Sequence, residues 1–515
     1  MRKRPQVRLT ITALVAFVAV ARAQIVAETI GYTSRDRQMY GPAIRYLVFD
    51  SLSGTHAVWK DGYGSIRYNF RPRGEAWRWP GGMVVNAYPR SLGSLDINPA
   101  SHSAIICADH LFRDTHILSL FTDSGPGAGR FRERQSSGEC RFTLVGTNSV
   151  GTPKFAVLSN DSLVYRQFVS FSPMFIGRVG AFPAFNLATS KQRATGWYGY
   201  IWVETEGPDT GALFLRETSN NGQTWFSASR LSDSVPSTLS RSALAGSGTY
   251  DSATIHLLAD LYDGSDVLHS QIWHYSKRSP AWRLVHDYSC PSGARLGDNA
   301  LAADRPSIGV NRALGEQYAV WEQFDPDNID PATGLCRADI WAARTAGAAR
   351  NWSPAIRLTE PDSTSKRFPF LAEVVNDTLH IIYFADQVAG FWEQGQGPQT
   401  TNAVMYLRVP VNVLPAAVAE APVAPVVPFQ VAVTPNPFTS TTTIRLFTSS
   451  FILHPSSLAI RVHDAAGCLV HSSLGTGSSS FTLDLRSVPP GVYFLTARAG
   501  PNAACCRVVK TARAD

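Results

Sequence analysis

Long apolar runs are missing from nearly all of this chain. Beyond Gln24 every apolar stretch of the 515 residues is broken by glycine, proline or charge within about a dozen residues, whereas a spanning helix needs ~20. No transmembrane helix is therefore expected after that point. Runs of lysine and arginine are missing over the same region, so the dense basic face that neutralises phosphates is not there, and nucleic acid is not an expected partner. No Cys-x-x-Cys pair occurs and no histidine stands at zinc-finger spacing from a cysteine, which argues against a structural zinc site. The G-x-S-x-G, H-E-x-x-H, P-loop and dinucleotide fingerprints are missing too. Helical periodicity is nearly absent.

What is present begins at the N-terminus. Arg2, Lys3, Arg4 and Arg8 precede an apolar stretch from Leu9 to Val20, and small residues at Ala21 and Ala23 come before Gln24. This three-part pattern predicts a signal peptide over 1–23, cleaved after Ala23, and a protein working outside the cytoplasm or on the outer-membrane surface. Cleavage changes the charge as well. The formal +7 loses five basic residues (Arg2, Lys3, Arg4, Arg8, Arg22), leaving 42 basic against 40 acidic. Seven cysteines in an exported chain admit disulfides. Cys107 with Cys140 and Cys290 with Cys336 are the pairings considered, with buried free thiols as the alternative.

The length favours two or three domains unless repeats build one large unit. A phrase does recur: a proline, a short apolar segment, a polar turn, then a strand ending in an aromatic residue and followed by acids. Pro306-Ser307-Ile308-Gly309-Val310 leads to Tyr318-Ala319-Val320-Trp321, and Pro369-Phe370-Leu371-Ala372 leads to Leu379-His380-Ile381-Ile382-Tyr383. Copies start at Pro42, Pro89, Pro153, Pro183 and Pro236, a spacing of roughly 54 residues, or roughly 65 if Pro153 belongs inside a longer unit. Each unit has a second half with its own strand and often a tryptophan, such as Trp77, Trp225, Trp282 and Trp352. Short strands rich in β-branched and aromatic residues, separated by Gly, Pro, Asn and Ser, cannot bury both faces of one sheet alone, so sheets must stack about an axis. The expected fold is all-β, a six- or seven-bladed β-propeller over 24–409.

Thr218-Ser219-Asn220-Asn221-Gly222-Gln223-Thr224-Trp225 resembles the Asp-box, the hairpin turn of sialidase-like propellers, with Thr218 and Asn220 in place of Ser and Asp. The resemblance implies a structural role: Asn220 bonds nearby amides, Gly222 takes a positive φ, and Trp225 plugs between sheets.

From Pro410 to Phe429 the composition turns to Pro, Ala and Val, which reads as an extended interdomain linker. The remaining 430–515 alternates short strands with turns and predicts a small Ig-like β-sandwich. Four motifs stand in order there: Pro435-Asn436-Pro437-Phe438, Val462-His463-Asp464-Ala465-Ala466-Gly467, Pro490-Gly491-Val492-Tyr493-Phe494 and Val508-Val509-Lys510. They resemble the type A C-terminal sorting domain of the bacterial type IX secretion system, which departs here in having His463 for the usual Tyr and Cys468 after the Gly. The resemblance implies the secretion machinery as a partner and export across an outer membrane.

Sialidase chemistry needs an arginine cluster and an Arg-Ile/Leu-Pro motif before the first blade. The nearest phrase, Arg367-Phe368-Pro369, lies in the last repeat and reads as its opening proline. Glycoside hydrolysis needs two facing carboxylates. Glu204, Glu322 and Asp386 follow equivalent aromatic-ended strands and would converge on a central channel if those strands were innermost. Asp325, Asp327, Asn328 and Asp330 form an acidic loop with hard oxygen ligands suited to Ca²⁺, although it lacks the Gly and terminal Glu of an EF-hand; otherwise no cofactor is expected. The leading expectation is non-catalytic binding of a glycan or surface protein. The alternative is an extracellular, sialidase-like glycoside hydrolase acting on polysaccharide, and a structural surface-layer component is third. Carboxylates converging with arginines in one pocket would favour hydrolysis.

Overall fold

The computed structural model describes residues 24–36, 38, 45–86, 93–112, 115–136, 141–147, 152–159, 162–167, 170–178, 188–192, 196–204, 211–235, 242–251, 254–278, 281–345, 351–415, 430–447, 458–474, 480–499 and 502–512. The predicted signal peptide, most of the linker, Cys140 and the repeat prolines Pro42, Pro89, Pro183 and Pro236 lie outside the described residues. The chain divides into two compact units, 1–419 and 420–515.

The first unit is a β-propeller with seven four-stranded antiparallel sheets. In six of them the strands follow chain order from the axis outwards, beginning at Leu47–Asp50, Ser94–Ile97, Arg141–Thr147, Ala188–Gln192, Ser242–Tyr250 and Ala303–Asn311. These first strands pack against one another from sheet to sheet, which makes them the innermost. The seventh blade is composite. Ser365–Leu371, Thr378–Asp386 and Asn402–Pro410 supply three strands, and Val26–Thr33 from the opposite end of the unit pairs with Asn402–Pro410 as the fourth. That strand also meets blade 1, where Trp59 Nε1 donates to the Tyr32 carbonyl at 3.3 Å and Asn69 Nδ2 to Ile30 O at 3.2 Å. Gly31 is needed at this closure, because a Cβ there would lie 2.1 Å from the Trp59 ring.

Two points left open by the sequence are decided by the strand order. The aromatic-ended segments are second strands: Trp197–Val203, Glu316–Ile329 and Thr378–Asp386 lie one place out from the axis. The innermost position belongs to the preceding, proline-bearing segments, which are buried throughout in blades 6 and 7. Pro306 and Pro369 are tolerated there because the register shifts at each, between Asp304 and Ser307 and between Arg367 and Phe370, so no ladder amide is demanded of the proline. Pro153 does not open a blade. It starts the second strand of blade 3, whose first strand, Arg141–Thr147, has no proline.

Second strands carry the large rings because both of their faces are covered by neighbouring blades. Trp59, Trp321 and Tyr200 are buried on them, and truncating such a ring typically costs ~3–5 kcal/mol. Near the axis Arg45 ties four blades. From blade 1 its Nη1 donates to Val145 O of blade 3 at 3.1 Å and lies 3.9 Å from Asp96 Oδ1 of blade 2, while Nε donates to Glu373 Oε1 of blade 7 at 3.1 Å. Cys290 and Cys336 share an apolar cluster as free thiols, and burial pushes Cys290 up to about 11.

The second unit holds two sheets, one ordered Gln430–Thr434, Thr441–Phe447, Ser480–Asp484, the other Leu469–Leu474, Leu458–Asp464, Gly491–Ala499, Asn502–Lys510. Its core gathers Phe438, Ile444, Ile460, Val462, Leu483 and Leu495.

Candidate functional site

Glu322, nominated as an acid near the channel, is fully buried (0% exposed). Its Oε1 accepts from Arg305 Nη1 at 2.7 Å and Arg367 Nε at 2.9 Å, and its Oε2 from the Phe368 amide at 2.6 Å. Burial alone would raise its pKa, but Arg367, Arg305 and the Phe368 amide outweigh it and hold the carboxyl below its usual range. Arg305 also pairs with Asp304, and its amide donates to Asp260 Oδ2 at 3.2 Å. Both residues that precede the inner-strand prolines, Arg305 (φ +52°) and Phe368 (φ +55°), are left-handed, a conformation costing ~1–3 kcal/mol that the surrounding contacts must hold. Arg367 lies 4.8 Å from the centroid of Phe324 and 5.1 Å from that of Phe391. This assembly is a closed ionic clamp between blades 6 and 7, with every Glu322 oxygen engaged.

Asp386 stands across the strand pair from Ser365. Its Oδ1 accepts from the Val388 amide at 3.0 Å and Thr400 Oγ1 at 3.2 Å. Burial, with the charge of Asp36 adding, raises its pKa to about 6 against the counter-pull of the Val388 amide. Arg367 contributes to the field at both Glu322 and Asp386. Glu204 is in another blade, at the end of Trp197–Val203, where its backbone pairs with Gly211 and Ala212. The three acids therefore belong to the second strands of blades 4, 6 and 7, Glu322 within its strand, Asp386 at the end of its strand and Glu204 just past its strand, and their equivalence in the repeat does not bring them to the innermost strands.

The segment read as an acidic loop is instead the end of the long strand Glu316–Ile329, which carries Asp325, Asp327 and Asn328 with Asp330 just past it, and it disperses their oxygens. Asp325 Oδ2 is 2.9 Å from Arg357 Nη2, its Oδ1 accepts from the Asp327 amide at 3.0 Å, and Asp330 is 3.1 Å from Arg337 Nη2 and accepts from the Ala389 amide at 2.6 Å. Among the described residues no group of three or more His, Cys, Asp or Glu is placed to hold a metal ion.

Thr218–Trp225 forms the turn between the third and fourth strands of blade 4. Thr218 Oγ1 accepts from the Gly222 amide at 3.1 Å, Asn220 Oδ1 from the Thr224 amide at 2.9 Å, and Asn220 Nδ2 donates to Thr224 Oγ1 at 2.8 Å. Gly222 adopts φ +83°, and Trp225 stacks on Tyr200 at 5.3 Å.

The same turn carries Phe226, which sequence reasoning missed. It is half exposed (50%) and stacks on Trp197 at 5.8 Å. Trp197 lines an open cleft of about 340 Å³ between blades 4 and 5 with Glu217, Tyr250, Thr254, Lys277 and Arg278. Tyr250 donates to Glu217 at 2.7 Å, Lys277 pairs with Glu217, and its Nζ lies 5.5 Å from the Trp197 centroid. The signal available in sequence was the pair of aromatics at Trp197 and Phe226 flanking a strand and its turn, but their meeting depends on the hairpin.

A second cleft, of about 210 Å³, lies at the axis and gathers Asp50, Asp96 and Glu373 with Arg45 and Arg312. Asp50 is engaged by Ser53 and by His102 at 2.7 Å, Asp96 Oδ2 by the Thr147 amide at 2.7 Å, and Glu373 by Arg45.

In the C-terminal unit the motif residues interlock. The Phe438 amide donates to Val509 O at 3.0 Å, the Val509 amide to Asn436 Oδ1 at 2.8 Å, and Asn436 Nδ2 to Arg507 O at 2.9 Å, so the Pro435–Phe438 opening is stitched to the closing Val508–Lys510 strand. Lys510 Nζ is caged by the carbonyls of Leu485, Arg486 and Val488. Tyr493, following Gly491, donates to Pro489 O. Asp464 accepts from the Ala466 and Cys468 amides at 2.9 and 2.8 Å across a turn that Gly467 closes at φ +83°. The family model for the secretion system C-terminal sorting domain matches residues 432–511. The C-terminal unit is a secretion sorting domain. A sorting domain of this kind directs its chain to the cell surface or the extracellular space, with the secretion machinery as partner.

No curated protein matches the chain. Similar solved structures include a protein of unknown function from Dyadobacter fermentans DSM 18053 (10% identity, TM-score 0.39, 74% of this chain and 98% of that one). Others are the Dos1 propeller (9%, 0.39, 73% and 80%) and an exo-β-1,3-galactanase from Clostridium thermocellum (12%, 0.31, 70% and 82%).

Proposed function

We propose that the propeller is a non-catalytic glycan-binding module, exported after cleavage at Ala23 and carried by the sorting domain through the Pro/Ala-rich linker 410–429. The observation that supports this reading is the cleft between blades 4 and 5. Trp197 lines it and Phe226 stacks beside Trp197, offering rings to the apolar face of a sugar, while the exposed Lys277 and Arg278 offer hydroxyl partners. A few convergent polar groups on aromatic walls are the usual makeup of a small-ligand site. Its test is a glycan array probed with the full chain and with Trp197→Ala and Phe226→Ala. Binding of a neutral glycan that each variant weakens by about tenfold or more supports the reading, and retention of all binding in both variants overturns it.

A hydrolase reading is favoured by one feature, the three carboxylates with two arginines in the axial cleft. Each of those acids already serves a turn, a neighbouring strand or Arg45, which places binding ahead of chemistry. Glycan hydrolysis abolished by Glu373→Gln in a chain that still folds would reverse that order.

A further inference from the structure

The ring closes where blade 7 meets blade 1, and this seam leaves a cleft of about 400 Å³ on residues for which neither the repeat nor the sorting domain accounts. That size lies in the ~300–1,000 Å³ range of small-molecule pockets. Its wall is unusually rich in guanidinium groups: Arg71, Arg73 and Arg408 all line it, with Asp377 the one acidic residue among its lining. Arg71 and Arg408 share a single carboxylate, Glu28, which is 2.8 Å from Arg408 Nη2 and 3.8 Å from Arg71 Nη2. The Arg408 Nε is buried with no hydrogen-bond partner. Arg73 makes a 3.4 Å contact from Nη1 to Ser51 O and is otherwise exposed. Three cations thus face two acids.

Aromatic rings stand beside that charge. Phe49 stacks on His380 at 4.0 Å with planes 17° apart, and both line the cleft. Burial, then the neighbouring Arg408 and Arg71, push His380 down to about 3, so the imidazole is neutral and the ring pair acts as an apolar wall.

We propose that this seam cleft binds the carboxylate of an acidic sugar, a uronate residue within a polysaccharide. The planar guanidinium fork matches a carboxylate in two-point geometry, and Phe49 gives the sugar ring a face to lie against. Sulfate esters present a similar oxyanion but not the planar one. The proposal rests on the reading of the propeller as a sugar binder, but on a cleft that shares no residue with the Trp197 site, so the two fail separately.

The test is calorimetric titration of the full chain at low ionic strength with glucuronate, glucose and inorganic sulfate, repeated with Arg73→Gln and Arg408→Gln. Arg73 is a rim residue, and its variant keeps the experiment interpretable if Arg408→Gln loses stability. The expected result is glucuronate binding at least about tenfold tighter than glucose, weakened about tenfold by each substitution and weakened again at about 0.5 M salt. Equal response to glucuronate and glucose, no response to either, or glucuronate binding unchanged in both variants overturns the proposal. Sulfate binding tighter than glucuronate overturns the carboxylate assignment. Neutral-glycan binding by the other cleft is read in the same preparations and is independent of these outcomes.

Discussion

The clamp between blades 6 and 7 and the cleft between blades 4 and 5 are built from the same kinds of group: a buried glutamate, a cation and aromatic rings. In the clamp, Glu322 receives two arginines and a backbone amide, so both of its oxygens are engaged, and the rings of Phe324, Phe368 and Phe391 lie around Arg367. In the cleft, Glu217 receives one tyrosine and one lysine, the lysine half-exposed, and Phe226 opens to solvent. Both carboxylates are buried with both oxygens engaged, but the cation on Glu217 reaches solvent, so it is Lys277 with the rings beside it that stays open to a ligand. What separates the two is the number of neighbouring elements that converge, not the residue types.

Removing the acid from each place is the strongest way to break that comparison. Glu322→Ala leaves Arg367 buried without its ion-pair partner and Arg305 with Asp304 alone, and breaking a buried pair in this way costs ~3–5 kcal/mol. A large fall in the urea midpoint of the propeller is expected; an unchanged midpoint would mean that the clamp is not structural.

Asp386 sharpens the boundary between the two kinds of site. Its folded pKa of about 6 stands above the ordinary 3.8, so the folded chain favours the protonated form. The resulting stabilisation is complete below pH 3.8 and is lost as pH rises through about 6. Asp386→Asn, which keeps an acceptor for Val388 but takes no charge, should be more stable than the parent by ~1–3 kcal/mol at pH 7 and no different at pH 3.5. Thermal melts of both chains across that range check the sign.

The turn under the open cleft should respond less. Thr218→Ala removes the acceptor for the Gly222 amide and should cost about 1 kcal/mol, with Phe226 displaced and its near-ultraviolet signal altered. Smallest of all, Glu217→Gln keeps the Tyr250 hydrogen bond and loses only the half-exposed ion pair with Lys277, so ~0.5 kcal/mol is expected. A loss as large as that of Glu322→Ala would erase the distinction between clamp and cleft.

The repeat was legible because blades 6 and 7 share one pattern of proline, apolar segment and aromatic-ended strand, of which weaker copies recur earlier in the chain. Its reading failed where a residue's role depended on a partner strand. Pro153 matches the local phrase yet opens a second strand, since Arg141–Thr147 had already taken the inner place. The contribution of Val26–Thr33 to the last blade was hidden as well, although the final repeat holds only three strands before the linker and so lacks an outer one. In the sorting domain, by contrast, Asn436, Gly467, Tyr493 and Lys510 each make local or motif-to-motif contacts, and the ordered motifs carried the assignment without three-dimensional information.

Alternation of short β-branched and aromatic runs with turn residues determined by itself that this protein is all-β, and the ordered C-terminal motifs determined how it is exported. Tertiary structure decided the number of blades, the closure of the ring by its first strand, and which charged residues remain open to a ligand. Strand identity follows from side-chain pattern, which is local along the chain. The saturation of a carboxylate or guanidinium depends on which neighbours arrive from other blades, and that is fixed only when the ring closes.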